Sequence, residues 1–399
     1  MFWRLFYITF LKRIMEVHNL KYNEKQIKLD NPLSFWKHFE NEERFLFYNP
    51  LKGEFILGAK RLKTFLDHES VKDYLYIFSS MTFFESIKDE KWVGFGNENI
   101  AFEYYLVEKD GKQTFYYFKD FVEIENIEVE VFEHSYKYEI DDYKAWEQLF
   151  YSASNSISRK VVNKVVISRE VKIQCDTSIN VESLLQKLFK QNINSIIFGY
   201  FKEGKTFLGA TPEILVQKEK DKVLCYALAG TILRSDEDEL QKIKLLTDSK
   251  NRHEHQIVID SIVYTMKKFT DELIVDETEI LTLENLHHLQ TCIHGKDKNG
   301  TLLQWVKRLH PTPALGGNPI DKALKLIKRY EKHERGLYAA PIGIVDGNGD
   351  GIFVAGIRSA LIEKNIAYAY TGCGIVDKSN CEVEYIETNN KLKTIIESL

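Results

Sequence analysis

The stretch GIFVAGIRSALIEKNIAYAYTGCGIV, residues 351–376, is the part of this chain that most limits its fold. Its apolar and aromatic residues come in short runs broken by turn residues, which predicts two or three strands in succession. Similar pieces precede it. NKVVISRE and SIIFGYF read as strands, and TFLGATPEILVQKE as two strands meeting at a Thr-Pro kink. Between them, EHQIVIDSIVYTMKKF is an amphipathic helix, and PIDKALKLIKRYEKHERG is a helix ended by Gly336. There is no internal repeat and no regular βαβ rhythm, so the expected class is α+β with a large antiparallel sheet.

Residues 1 to about 155 have a different texture, rich in aromatic and charged residues. ERFLFYNP, GEFILGAK and TFYYFKDFVEIENIEVEVF are strand-like, and nothing there has catalytic spacing. A chain of 399 residues can bury a large core. The net charge of −5 gives no electrostatic footprint for nucleic acid. The five cysteines form no CxxC pair and read as reduced thiols of a cytoplasmic protein. At the N-terminus, MFWRLFYITFLKRIMEVHNL is too short and too charged for a membrane span. It lacks a small-residue cleavage site, and an extended start ahead of Met15 is the expectation.

Several charged residues stand where the pattern calls for apolar ones. Lys164 sits inside VVNKVVIS, on one strand face with Val162 and Val166. Burial lowers a lysine's pKa and makes a usable base; an edge-strand lysine snorkelling to solvent fits the same residues. Glu213 follows Pro212 and opens an apolar run. A carboxyl at the mouth of an apolar pocket suits a general acid, and a solvated turn glutamate is the plainer alternative. Glu254 shares a helical face with Val258 and Ile262, so its carboxylate needs a partner. In SNCEVEYIETNNK, residues 379–391, Ser379 and Glu382 have the spacing of a capping box. Glu384 and Glu387 instead share a face with Lys391.

Three patterns are weaker. HEH at 253–255 has no third ligand at zinc spacing, and its histidines read as surface or supporting residues. DGNGDG at 346–351 imitates a calcium loop but would place Ile357 where a bidentate glutamate is required, so a hairpin turn is expected. TGCGIV at 371–376 allows close backbone approach to a ligand and lacks the context of a dinucleotide site.

Taken in series, the motifs resemble the chorismate-utilising enzymes. KVVISR (164–169), FLGATPEILV (207–216), YALAGTILR (226–234), KNRHEH (250–255) and LHHLQT (286–291) stand in that family's order. They are followed by LHPTPALGGNP (309–319), ERGLYAAPIG (334–343), GIRSA (356–360), GCGIV and EVEYIETNNK. Within the family, ALAGT and HPTPALGG are most similar to isochorismate synthase. Anthranilate and aminodeoxychorismate synthases usually read PIAGT, and salicylate synthases tend to carry threonine near Ala314.

The resemblance covers about residues 160–395 and implies an anthranilate synthase component I-like fold of packed antiparallel sheets with helices outside. It divides the chain into a variable, strand-rich part, 1–155, packed on the same core, and a chorismate-binding catalytic region, 156–399. It implies Mg²⁺-dependent conversion of chorismate to isochorismate by a monomer with no glutaminase subunit. Lys164 would be the base that activates water for attack at C2, and Glu213 the acid that protonates the departing C4 hydroxyl. Glu254 and Glu387 would ligate Mg²⁺, with Glu384 reaching it through water. Tyr338 and Arg358 would hold the enolpyruvyl carboxylate. Gly230, Thr231, Gly372 and Gly374 would line the site, with His288 and Lys391 close by.

Two positions depart from the family pattern: Asn251 stands where relatives commonly carry Asp or Glu, and Cys381 where they usually have proline. Salicylate synthase, the two aminating synthases and a non-catalytic chorismate-binding protein are the competing readings. Menaquinone and catechol siderophores both begin from isochorismate, and the motifs do not choose between them.

Overall fold

In the computed structural model, residues 22–66, 71–138 and 143–399 are described. The N-terminal segment with Met15 lies outside them. The class is α+β, and every pairing among the described strands is antiparallel.

The strands form one continuous hydrogen-bonded path. It starts at Lys164–Cys175 and passes through Ile366–Val376, Ser359–Glu363, Lys205–Thr211 and Ile196–Lys202. It continues into Arg44–Asn49, Glu54–Thr64, Glu98–Lys109 and Tyr76–Ser80, so the N-terminal strands fill its middle. From there it runs through Pro341–Asp346, Gly351–Ala355, Ile214–Glu219 and Lys222–Leu233 to Leu286–Lys296. Residues from both ends of the path line one cavity, so the sheet doubles back on itself. The helix Tyr143–Ser158 runs across residue 155, and Phe45, Trp92 and Phe102 share a core with Ile167, Phe198 and Tyr338.

Two helices close the cavity. Ser249–Met266 starts where Asp248 accepts a hydrogen bond from the Asn251 N–H, and it buries Glu254, His255, Val258 and Ile262 on one face. Cys381–Ile396 buries Cys381, Glu384, Thr388, Leu392 and Ile395. Its cap is Asn380, whose side chain accepts from the N–H groups of Glu382 and Val383. The expected Ser379–Glu382 capping box is therefore not formed; the Ser379 hydroxyl instead accepts from the Val376 N–H, at the end of the preceding strand.

Two further expectations change. The helix after Pro319 ends at Tyr330, six residues before Gly336, because Glu331 leaves helical geometry to reach Ser168 and Arg335 with its carboxylate. The strand drawn through 114–132 stops at Tyr117; beyond it the alternating glutamates are mostly exposed and pair with no strand. DGNGDG is a hairpin turn joining Pro341–Asp346 to Gly351–Ala355, with Asp346 accepting from the N–H groups of Asn348 and Asp350.

Candidate functional site

A cavity of about 690 Å³, counted to its open mouth, lies between the two ends of the sheet path. Its lining includes Lys164, Glu213, Gly230, Thr231, Glu254, His288, Tyr338, Arg358, Gly372, Gly374, Glu387 and Lys391. Of the residues to which the family resemblance gives a site role, only Glu384 is set back from this wall.

Lys164 opens its strand and is paired on both flanks, with Val376 on one side and Asn318 on the other. That rules out the edge-strand reading: the side chain is 1% exposed and turned inward. Its Nζ lies 3.0 Å from Glu254 Oε1. Burial pushes the Glu254 pKa up, but the charges of Lys164 and Lys250 outweigh it and hold the carboxyl below its ordinary value. Gly374 makes room for the pair, since a Cβ there would stand 2.4 Å from Glu254 Oε1 and 2.6 Å from Lys164 Cε.

Glu213 and Arg358 occupy the two places where the chain crosses between distant parts of the sheet path. Glu213 lies between Lys205–Thr211 and Ile214–Glu219; Arg358 lies between Gly351–Ala355 and Ser359–Glu363. The crossings interlock, the Ala355 N–H donating to the Glu213 carbonyl at 3.0 Å and the Ala210 N–H to the Arg358 carbonyl at 3.2 Å. Glu213 is buried rather than solvated, and burial pushes its pKa up to about 7 against the pull of Lys164 and Lys391. Arg358 takes the left-handed φ of 50°, uncommon for a residue with a side chain. Burial lowers its pKa to about 10, so the guanidinium stays charged at neutral pH. Beside it the buried Tyr338 ring stacks on Tyr370 with centroids 5.3 Å apart.

The two closing helices bring three carboxylates together. Glu384 is 1% exposed and takes the Lys250 ammonium at 2.7 Å. Glu387 Oε1 lies 2.6 Å from Lys391 Nζ, which also donates to the Gly372 carbonyl. Burial first, then Glu387, pushes the Glu384 pKa up to about 6. The sequence reading missed Lys250, although its place four residues before Glu254 puts both on one helical face.

Opposite them, Gly230 at φ 80° shifts the register of its strand, and Thr231 falls across from His288. Thr231 is held from behind, its N–H donating to Asn251 Oδ1 at 3.2 Å. The neutral amide of Asn251, expected from the family pattern to be an acid, therefore has a backbone partner. His253 of HEH is exposed, while His255 Nε2 bonds Thr291 Oγ1 at 2.8 Å.

Among the described residues no three His, Cys, Asp or Glu side chains form a ready-made ligand cluster. Mg²⁺ keeps several waters and needs only one or two protein carboxylates. The charges of Glu387 and Glu254 raise the pKa of the buried Glu384, a crowding of carboxylates that suits such a hard cation, and Glu254, Glu384 and Glu387 are the residues that could hold it.

Comparisons with known proteins bear on the family and the fold. The chain is 38% identical over 259 residues to the isochorismate synthase MenF of Bacillus subtilis, matching 64% of this chain and 55% of that protein. It is 36% identical over 261 residues to the salicylate biosynthesis isochorismate synthase of Pseudomonas aeruginosa, again matching 64% of this chain and 55% of the relative. The match thus spans about half the length of these relatives. The fold is similar to that of MenF, the menaquinone-specific isochorismate synthase from Escherichia coli, with a TM-score of 0.81 over 97% of this chain and 98% of that one at 23% identity. A family model described as chorismate binding enzyme matches residues 125–399, the span that supplies every wall of the cavity named above, and the chain belongs to that family.

Proposed function

We propose that this protein is an isochorismate synthase that converts chorismate to isochorismate with Mg²⁺. The observation that carries the reading is the buried Glu213 carboxyl, protonated up to about pH 7, on the same cavity as the buried Lys164 amine. One cavity thus holds an acid able to protonate a departing hydroxyl and a lysine whose neutral form could take a proton from attacking water.

Chorismate is a dianion, and the cavity offers cationic or donor groups for both carboxylates. Arg358 and Tyr338 suit the enolpyruvyl carboxylate, the guanidinium fork matching a planar anion. Glu254 and Glu387 would hold Mg²⁺, with Glu384 reaching it through water, and the ion would supply charge neutralisation for the ring carboxylate. Lys164 takes the proton of a water attacking C2, and Glu213 delivers its own to the C4 hydroxyl as it leaves. Gly372 and Gly374 place bare backbone on the cavity wall, and Leu228, Ala229, Ala314 and Leu315 would limit water around the ring. The nucleophile being water, the reaction needs no glutaminase subunit, and a monomer is the proposed state.

Incubating the purified protein with chorismate and Mg²⁺ and separating the products tests this, with isochorismate expected. Salicylate plus pyruvate would reassign the protein as a lyase. A product that requires ammonium would make it an aminating synthase. Binding of chorismate with no turnover would leave a non-catalytic binding protein.

A further inference from the structure

Thr231, His288 and Arg358 form one hydrogen-bonded row along the cavity wall. Thr231 Oγ1 lies 2.9 Å from His288 Nδ1, and Arg358 Nη2 lies 3.0 Å from His288 Nε2. A guanidinium can only donate. Nε2 is therefore the bare nitrogen, and the single ring hydrogen of the neutral imidazole sits on Nδ1. Nδ1–H has no lone pair to offer, so the threonine oxygen accepts from it. The Thr231 hydroxyl proton is then left to point elsewhere, and Thr231 lines the cavity.

The ring is fixed in this state by its surroundings. His288 is 5% exposed, and burial, then the charges of Arg358 and Lys391, push its pKa well below the ordinary value. The Gly230 backbone pulls the other way, toward a protonated ring, and does not outweigh burial and the two cations. Both ring nitrogens are thus engaged by protein groups, and the ring has no polar atom left for substrate. Its contact with Arg358 is also the only hydrogen bond made by that side chain among the described residues.

We propose that His288 is a positioning residue. As the Nδ1–H tautomer it anchors one edge of the Arg358 guanidinium, leaving the remaining N–H groups to fork onto a substrate carboxylate. Through Nδ1 it also makes the Thr231 hydroxyl a donor toward an oxygen acceptor on the same substrate. The identity of that carboxylate rests on the chorismate reading; the tautomer does not.

Two measurements test this. The ¹⁵N spectrum of histidine-labelled protein without substrate, assigned with His288→Gln, should show Nδ1 protonated and Nε2 bare throughout the range in which free imidazole titrates. A proton on Nε2, or an imidazolium, would overturn the proposal. In steady-state assays His288→Ala should raise the chorismate KM about tenfold while kcat changes by less than about threefold, the scale of one hydrogen bond to a charged group. His288→Gln, whose amide oxygen can again accept from Arg358, should return KM to within about threefold of wild type. Unchanged KM in His288→Ala, or no recovery in His288→Gln when both variants are folded, would also overturn it. A wild-type protein inert toward chorismate would count against the isochorismate synthase reading alone, leaving the tautomer to the spectrum.

Discussion

Lys164 Nζ lies 3.0 Å from Glu254 Oε1, in space that exists only because residue 374 has no side chain. The pair joins the first residue of a strand to the buried face of a helix ninety residues later in the chain. A lysine and a carboxylate enclosed this fully are costly apart and tolerable together. The predictions below begin from that pair.

Replacing Lys164 by Ala removes the proposed base and leaves Glu254 buried, with Lys250 as its remaining strong partner. We expect kcat to fall by about 10²–10⁴ while chorismate still binds. Near-normal turnover in a stopped assay would remove Lys164 from the base role.

Gly374→Ala is a subtler probe of the same contact. The added methyl group overlaps the Glu254 carboxylate and the Lys164 stem, and both are too enclosed to swing away. A loss of about 1–3 kcal/mol in stability is expected from overpacking, with a drop in kcat much larger than in a Gly→Ala variant at the half-buried Gly96, where an added Cβ meets no atom within 4 Å. Equal activities of the two variants would show that the pair tolerates displacement.

Glu213 makes a prediction that depends on pH. Its pKa stands at about 7 when folded, against 4.5 in the ordinary state. Below the ordinary value both states are protonated and nothing is lost. Between the two values the unfolded chain releases its proton first, so stability falls as pH rises, by roughly 3 kcal/mol in all. Glu213→Gln should therefore raise the melting temperature more above pH 7 than near pH 4.5, yet lower kcat by about 10²–10⁴. The wild-type kcat/KM should decline above about pH 7 as the acid loses its proton, and the remaining activity of the glutamine variant should lack that limb.

Lys250 and Glu384 form an ion pair between the two closing helices, the carboxylate buried and the lysine half-buried. Removing one partner strands the other, so Lys250→Met and Glu384→Gln should each destabilise the fold, the former by roughly 3 kcal/mol. The double variant should cost clearly less than the sum of the two. Additive losses in denaturant melts would mean that the pair is not coupled.

Chelation should abolish turnover, and added Mg²⁺ should restore it. Glu254→Gln and Glu387→Gln should each raise the Mg²⁺ concentration for half-maximal rate at least about tenfold. Full activity after exhaustive chelation would exclude the metal.

The strand runs, the helix carrying Glu254 and the hairpin at DGNGDG were legible because each depends on local periodicity or turn chemistry. The missed details were matters of competition. Asn380 took the cap that Ser379 was expected to fill, since the serine hydroxyl was drawn to Val376 N–H. Gly336 lost its role as a helix end because Glu331 was drawn to Arg335 and the Lys164 strand.

The order of the motifs, by itself, singled out the side chains proposed to carry the chemistry, and local periodicity the helical or strand faces that present them. It left open whether Lys164 and Glu213 met water or protein, because burial depends on pairing partners far away in the chain. Only the tertiary structure decided that, by doubling the sheet back so that its two ends enclose one cavity. The same closure matched Lys250 with Glu384 and set Asn251 behind Thr231, since the strength of a charge or hydrogen bond follows from what surrounds it in space.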